Sequence, residues 1–167
     1  FYVPFEKMTL NFGADWVRYD GKPESVQPEN RISAVTPGMI PKEQGQTLGI
    51  YINDEINLNE TIGFSVGLRY SLFQNKGPYD VFSYESDELP DVISVTDTTA
   101  FQNGETIAEY SGFEPRVSIR IGLNSSTSIK LSYNKLRQYI HLVSNTAAST
   151  PADVWQLSNR FIKPIKA

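Results

Sequence analysis

Residues 61–73 alternate strictly between large apolar side chains and small or polar ones. The even positions from 62 to 72 carry Ile, Phe, Val, Leu, Tyr and Leu, and the odd positions from 63 to 71 carry Gly, Ser, Gly, Arg and Ser. A period of two predicts a β-strand. The large apolar face fits contact with lipid, and the small or polar face fits a crowded or water-filled lumen. A strand lying on the core of a soluble protein gives the same period, so this segment alone leaves both settings open.

The same period recurs in four other segments of the chain. Together they predict five principal strands, over residues 8–19, 46–56, 61–73, 110–123 and 128–139. Residues 134–144 also fit helical spacing, through Leu136, Tyr139, Ile140 and Val143, and we interpret the first part of this segment as a continuing strand. The chain is therefore predicted to be all-β.

The connections between these strands alternate in length. Residues 20–45, 74–109 and 144–167 contain most of the prolines and show no period, so they are predicted to be long loops. Residues 57–60 and 124–127 are short polar turns. All long loops then lie at one end of the sheet, as the extracellular loops of outer-membrane barrels do. The sequence thus favours an antiparallel up-and-down meander of about five to six strands from a transmembrane β-barrel.

Composition excludes several other classes of protein. The 167 residues include 15 basic and 19 acidic ones, giving a net charge of −4 with no basic stripe, which argues against a nucleic-acid binder. The chain has no cysteine, and it has no apolar run of about 18 residues that would form a membrane-spanning helix. Because it begins at Phe1 without a signal peptide, we expect it to be a piece of a longer protein.

Several segments resemble one known family. Residues 48–57 and 64–70 read LGIYINDEIN and FSVGLRY, residues 113–120 read FEPRVSIR, and residues 132–145 read SYNKLRQYIHLVSN. With TPADVW at 150–155 and IKP at 162–164, they are similar to TonB-dependent outer-membrane receptors, in the version typical of Bacteroidota. Each motif alone is weak, but four in the family's order are fairly specific.

The resemblance implies a 22-stranded barrel in the outer membrane, plugged by an N-terminal domain and importing a scarce nutrient with energy delivered through TonB. Its partners would be the remaining barrel strands, the plug, TonB and outer-membrane lipid, with a surface lipoprotein as a further candidate and no cofactor. The plug is absent from this sequence. Its five or six strands are also too few to close a barrel, since the smallest bacterial ones need about eight.

Charged side chains of the small-residue face are the first candidate site. Such residues would line the lumen and contact the plug or passing substrate, or they would pair with one another and stabilise the sheet. The candidates are Arg69, Arg116, Arg120, Lys130, Glu55 and Asp15.

Aromatic side chains near the long-loop ends of the strands are the second candidate set. In a barrel they would form the outer aromatic girdle at the headgroup level, and in another setting they would pack across strands. The candidates are Trp16, Tyr70, Phe73, Tyr133 and Tyr139.

No catalytic or metal-binding set is predicted. His141 is the single histidine and lacks the companions that zinc sites need. Asp54 and Glu55 are adjacent in a strand, so they point to opposite faces and do not form an acid–base pair. The acidic residues of 80–91 lack calcium-loop spacing. The alternative to a transporter is a soluble all-β ligand- or carbohydrate-binding module, in which Trp155 and the tyrosines would stack on a sugar.

Overall fold

A computed structural model describes residues 2–5, 8–21, 42–84, 95–143 and 154–167. Within them the chain forms twelve strands: β1 Tyr2–Phe5, β2 Met8–Gly21, β3 Glu43–Asn57, β4 Ile62–Lys76, β5 Tyr79–Tyr84, β6 Val95–Phe101, β7 Thr106–Asn124, β8 Thr127–Asn134, β9 Arg137–Gln138, β10 Ile140–Val143, β11 Val154–Leu157 and β12 Ile165–Lys166. These residues include no helix long and apolar enough to cross a membrane.

Six of the strands form one antiparallel sheet in the order β1-β2-β3-β4-β7-β8. Neighbours along the chain are neighbours in the sheet, apart from the β5–β6 hairpin between β4 and β7. The predicted all-β antiparallel meander is confirmed. The strands of its centre are long: pairing continues in register over 14 positions between β2 and β3 and again between β3 and β4.

The short turns are built by asparagine side chains. Asn59 Oδ1 accepts hydrogen bonds from the backbone N–H groups of Thr61 (2.9 Å) and Ile62 (2.7 Å), and Asn124 Oδ1 accepts one from Ser126 (2.9 Å). Asn favours such turns because its side chain substitutes for a backbone acceptor. Both turns lie at the same end of the strands, called here the short-turn end. The opposite end of the strands is called the long-connection end.

The two faces of the sheet differ as the alternation predicts. Rows of apolar side chains cross the strands on the first face, here called the apolar face, as in Phe12–Ile52–Leu68 and Ile56–Phe64–Ile119. Val66 is 50% exposed and Leu68 43% exposed on this face. Asp54 interrupts the apolar face, whereas its neighbour Glu55 points to the opposite one. The opposite, small-residue face carries Gly63, Gly67 and Ser71, all of them buried.

The connection between β4 and β7 contains more structure than a loop. β4 runs on to Lys76, β7 begins at Thr106, and β5 and β6 pair with each other between them. The N–H of Gly77 donates to the carbonyl of Glu105 (2.9 Å), which joins this hairpin to the sheet. Parts of the three predicted long loops, residues 22–41, 85–94 and 144–153, lie outside the described residues.

The chain leaves the sheet after Asn134, whereas the predicted strand continued to residue 139. Lys135 N–H still donates to the carbonyl of Pro115 (2.9 Å), but β9 then pairs with β12 and β10 with β11. Residues 135–143 and 154–167, here called the inner layer, lie against the small-residue face at the long-connection end. Burial of Tyr139 and Leu157 against the sheet outweighs further extension of β8.

Candidate functional site on the small-residue face

An arginine at the centre of β4 organises the polar side chains of the small-residue face. Arg69 Nη1 donates to Asp15 Oδ1 at 2.5 Å, and Nη2 donates to Oδ2 at 2.8 Å. The two residues sit on β4 and β2, so the guanidinium has to reach across β3, where it passes over Gly49. A Cβ at Gly49 would collide with Arg69 Nη2 and lie 2.6 Å from Asp15 Oδ1. The glycine therefore provides the space for a bidentate ion pair.

A hydrogen-bond chain connects this pair to the inner layer. Ser71 Oγ donates to Glu114 Oε1 at 2.6 Å and lies 2.7 Å from the hydroxyl of Tyr139. Because the Ser71 proton points to the carboxylate, Tyr139 is the donor to Ser71. Glu114 is only 4% exposed and also lies 3.7 Å from Arg69 Nε. Burial raises the pKa of Tyr139, which keeps its hydroxyl protonated as this donation requires.

An aromatic cluster fixes the inner layer on the sheet. Phe73 is 0% exposed, and its ring stacks on Tyr139 at 4.8 Å with 5° between the planes. Leu157 completes the buried group and Tyr19 packs at its edge. Further contacts are polar: Tyr110 Oη donates to the carbonyl of Asn159 (2.7 Å), Asn75 Nδ2 to that of Ser158 (3.1 Å), and the backbone N–H of Leu157 to Glu43 Oε2 (2.5 Å).

The predicted girdle needs correction at two of its five positions. Phe73 and Tyr139 lie buried between the sheet and the inner layer, so they cannot belong to an outward ring. Phe73 stands at an odd position of β4, as Arg69 and Ser71 do. The alternation in the sequence therefore already indicates that its side chain points to the small-residue face. The other three candidates lie on the apolar face, where Trp16 is 65% exposed and Tyr70 packs on Phe113 at 5.1 Å; the third is Tyr133.

The six charged candidates share one face but not one network. Among the described residues, only Arg69 and Asp15 of this set pair with each other. Arg116, Arg120 and Lys130 have no carboxylate within 4.0 Å in the part of the chain that the structure describes. Glu55 faces Thr9 and Ser65 across its neighbouring strands. The interpretation of mutual ion pairs therefore fits Arg69 and Asp15 alone.

Sequence reasoning missed three members of the site. Glu114 and Ser71 carry the hydrogen-bond chain, and Arg137 lies flat over Gly112 of β7. Glu114 stands two residues before Arg116 in β7, so alternation places both side chains on the small-residue face. Its burial, however, depends on the inner layer. His141 is also buried in this layer, where its Nε2 lies 2.8 Å from Ser158 Oγ.

Two clefts border the inner layer. One of about 430 Å³ opens on the small-residue face and is lined by Arg69, Arg116, Arg137 and Tyr139, among others. A second, of about 160 Å³, lies at the long-connection end and is lined by side chains such as Tyr79, Phe82 and Arg160. In the described ranges no three His, Asp or Glu side chains converge as metal ligands would. The larger cleft presents charged and hydroxyl side chains that can make polar contacts.

The sequence model of one protein family matches residues 2–167; the family is described as "TonB dependent receptor-like, beta-barrel". No curated protein and no solved structure matches the chain.

Proposed function

The chain belongs to the TonB-dependent receptor-like β-barrel family, and from this premise we propose that it forms part of the wall of an outer-membrane barrel that takes up a nutrient. Barrels of this family are outer-membrane transporters, and they work in general with a plug domain and TonB. The further proposals concern the orientation of the sheet, the role of its faces and the capture of substrate.

The observation that carries this proposal is the exposed apolar face. Its rows of Ile, Leu, Val and Phe cross four strands in register, and Val66 and Leu68 remain about half exposed. A soluble carbohydrate-binding sandwich would bury such a face under a second sheet. In the described residues the inner layer instead covers the long-connection end of the opposite face. Lipid is therefore the proposed neighbour of the apolar face, and the small-residue face would line the lumen.

The orientation follows from the connections. Bacterial barrels have short periplasmic turns and longer extracellular loops. The short-turn end would then face the periplasm, and the long-connection end, with the cleft beside Tyr79 and Arg160, would face the exterior. We further propose that the long connections take part in capturing substrate, as in a receptor of the Bacteroidota type.

A labelling experiment in the intact outer membrane tests the assignment of faces. Val66→Cys and Ser65→Cys are neighbours in β4 that point in opposite directions. With an environment-sensitive fluorophore attached, position 66 should be quenched strongly by brominated lipid and position 65 only weakly. Equal quenching at both positions, or a full-length receptor that stays monomeric and β-rich in buffer without detergent, would contradict the proposal.

A further inference from the structure

A carboxylate interrupts the apolar face near the short-turn end. Asp54 of β3 lies in register between Leu10 of β2 and Val66 of β4. One of its oxygens, Oδ1, is buried and has no hydrogen-bond partner among the described residues. A buried polar atom without a partner is costly, and an acidic side chain within a membrane is rare unless it has a function. Asp54 therefore needs a donor that the described part of the sheet does not supply.

This donor has to come from outside the sheet. β3 is paired on both sides along this stretch, so no further strand of the barrel becomes a lateral neighbour of Asp54. The side chains that flank its row on the same face are all apolar: Met8, Phe12, Ile52, Ile56, Phe64 and Leu68. A donor can therefore reach the carboxylate only from the lipid side of the wall.

A groove beside Asp54 offers room for such a molecule. It has a volume of about 490 Å³, and its lining combines the Asp54 side chain with apolar ones. Among the latter, Ile52, Val66 and Val117 are each about half exposed. One carboxylate in an apolar groove fits a molecule that has a cationic head and a hydrocarbon chain.

The depth of Asp54 matches the border between headgroups and hydrocarbon. Asp54 is three residues from Asn57, the last residue of β3, which is about 10 Å along the strand. Because barrel strands are tilted, its depth below the short-turn end is smaller than this. The polar regions of a bilayer add about 5–8 Å on each side of the hydrocarbon core. The carboxylate is therefore within reach of a lipid headgroup.

We propose that Asp54 and this groove form a binding site for a phospholipid with a primary ammonium headgroup, such as phosphatidylethanolamine, in the periplasmic leaflet. The inference rests on the proposed function, which turns the apolar face to lipid and the short-turn end to the periplasm. The ammonium group donates to the Asp54 carboxylate, and an acyl chain lies in the groove beside Val66 and Val117. Such a charge-assisted hydrogen bond is strong, and the low dielectric around it strengthens it further.

Lipid-selective quenching of the full-length receptor tests this site. Val117→Cys, labelled with an environment-sensitive fluorophore, is placed in phosphatidylglycerol vesicles that contain brominated phosphatidylethanolamine or, at equal mole fraction, brominated phosphatidylcholine. The choline headgroup carries the same charges but has no N–H to donate. The ethanolamine lipid should therefore bind beside position 117 about threefold or more tightly than the choline lipid. The same fluorophore at Leu131→Cys, on the apolar face of β8 and outside the groove, should show no preference.

Two matched variants assign the preference to a residue. Asp54→Asn keeps the size of the side chain but removes its charge, and it should abolish the preference at position 117. Glu55→Gln makes the equal change at the next residue of β3, which points to the small-residue face. This control should leave the preference unchanged.

The remaining outcomes separate this inference from the proposed function. Equal quenching by the two brominated lipids at position 117 overturns the binding site but leaves the assignment of the faces intact, because lipid still contacts that position. A preference that persists in Asp54→Asn also overturns the site, since another group would then select the headgroup. If neither lipid quenches position 117, the apolar face does not contact lipid, and the proposed function fails together with the inference.

Discussion

The two halves of the small-residue face carry similar charged residues in different settings. At the long-connection half, Arg69 binds Asp15 bidentately, and Glu114 is almost fully buried beneath the inner layer. At the short-turn half, Arg116 and Arg120 are exposed and have no carboxylate partner among the described residues. The first half has its partners within the chain, whereas the arginines of the second are exposed to solvent.

The two halves of this face also differ in whether the inner layer packs on them. Tyr139 and Leu157 shield the long-connection half from water, and a buried charge without a partner costs several kcal/mol. The charges there must be paired for the inner layer to dock. Arg116 and Arg120 are exposed, so they remain solvated at little cost. A charged side chain that the inner layer covers must therefore be paired.

The largest expected effect is at the contact between sheet and inner layer. Phe73→Ala removes a fully buried ring and its stack on Tyr139, and should lower the free energy of unfolding by about 3–5 kcal/mol. The measurement is denaturant unfolding of the full-length receptor in detergent micelles. Phe113→Ala is the matched control, because Phe113 is 59% exposed on the apolar face and loses mainly its pairing with Tyr70, about 1 kcal/mol. Equal costs at both positions would refute the packing described for the inner layer.

The second effect compares two arginines of the same face. Arg69→Ala leaves Asp15 and the buried Glu114 without their cation and should destabilise the sheet by about 2–3 kcal/mol, below the range of fully buried pairs because Arg69 is partly exposed. Arg116→Ala should change the unfolding free energy of the barrel by less than about 0.5 kcal/mol. Both are measured by urea unfolding of the barrel.

A double-mutant cycle shows whether the cost at Arg69 comes from the ion pair. Asp15→Ala combined with Arg69→Ala should destabilise the sheet by less than the sum of the two single substitutions, because the second change removes a charge that the first left unpaired. Strict additivity would mean that the two residues do not stabilise the sheet as a pair, despite their short contacts.

The sheet could be predicted from the sequence because its information is local. Alternation in residues 61–73 assigns each side chain to a face without any knowledge of the neighbouring strand. The short turns at 57–60 and 124–127 likewise join strands that are consecutive along the chain, so they predict which strands are neighbours in the sheet. Parity alone placed Arg69, Arg116 and Arg120 together on one face, as the structure has them.

The ion pair between Arg69 and Asp15 could not be predicted, because it depends on the register between segments that are distant in the sequence. Arg69 meets Asp15 across a third strand and 54 positions of sequence, and Gly49 must lie between them. Residues 135–143 and 154–167 have too few alternating positions to indicate where they dock. Their apolar side chains are buried against Phe73, with Tyr19 and Tyr110 packed beside it, and this surface forms only once the strands are assembled.

The smallest expected effect concerns the pH dependence of inner-layer docking. Glu43 is the first residue of β3, beyond the eleven or so residues that cross a bilayer, and it accepts the backbone N–H of Leu157. Burial raises its pKa, so the folded state disfavours the ionised carboxylate. This group therefore stabilises docking fully below its unfolded pKa, and the contribution is lost as pH rises through the raised folded value. Protection of the Leu157 amide in hydrogen exchange, corrected for intrinsic rates, should fall across that window.

Glu43→Gln keeps an acceptor oxygen but cannot ionise, so its protection should not vary over the same pH range. Glu109→Gln, at an exposed glutamate of β7 that accepts from Gln74 at the same end of the sheet, should leave the pH dependence as it is. A dependence that persists in Glu43→Gln would assign it to another group. Protection that rises with pH in the unchanged receptor would show that the hydrogen bond from Leu157 outweighs burial of the carboxylate. In that case the long-connection half would tolerate the unpaired charge of Glu43 at its border, and ion pairing would be needed only further inside, at Arg69, Asp15 and Glu114.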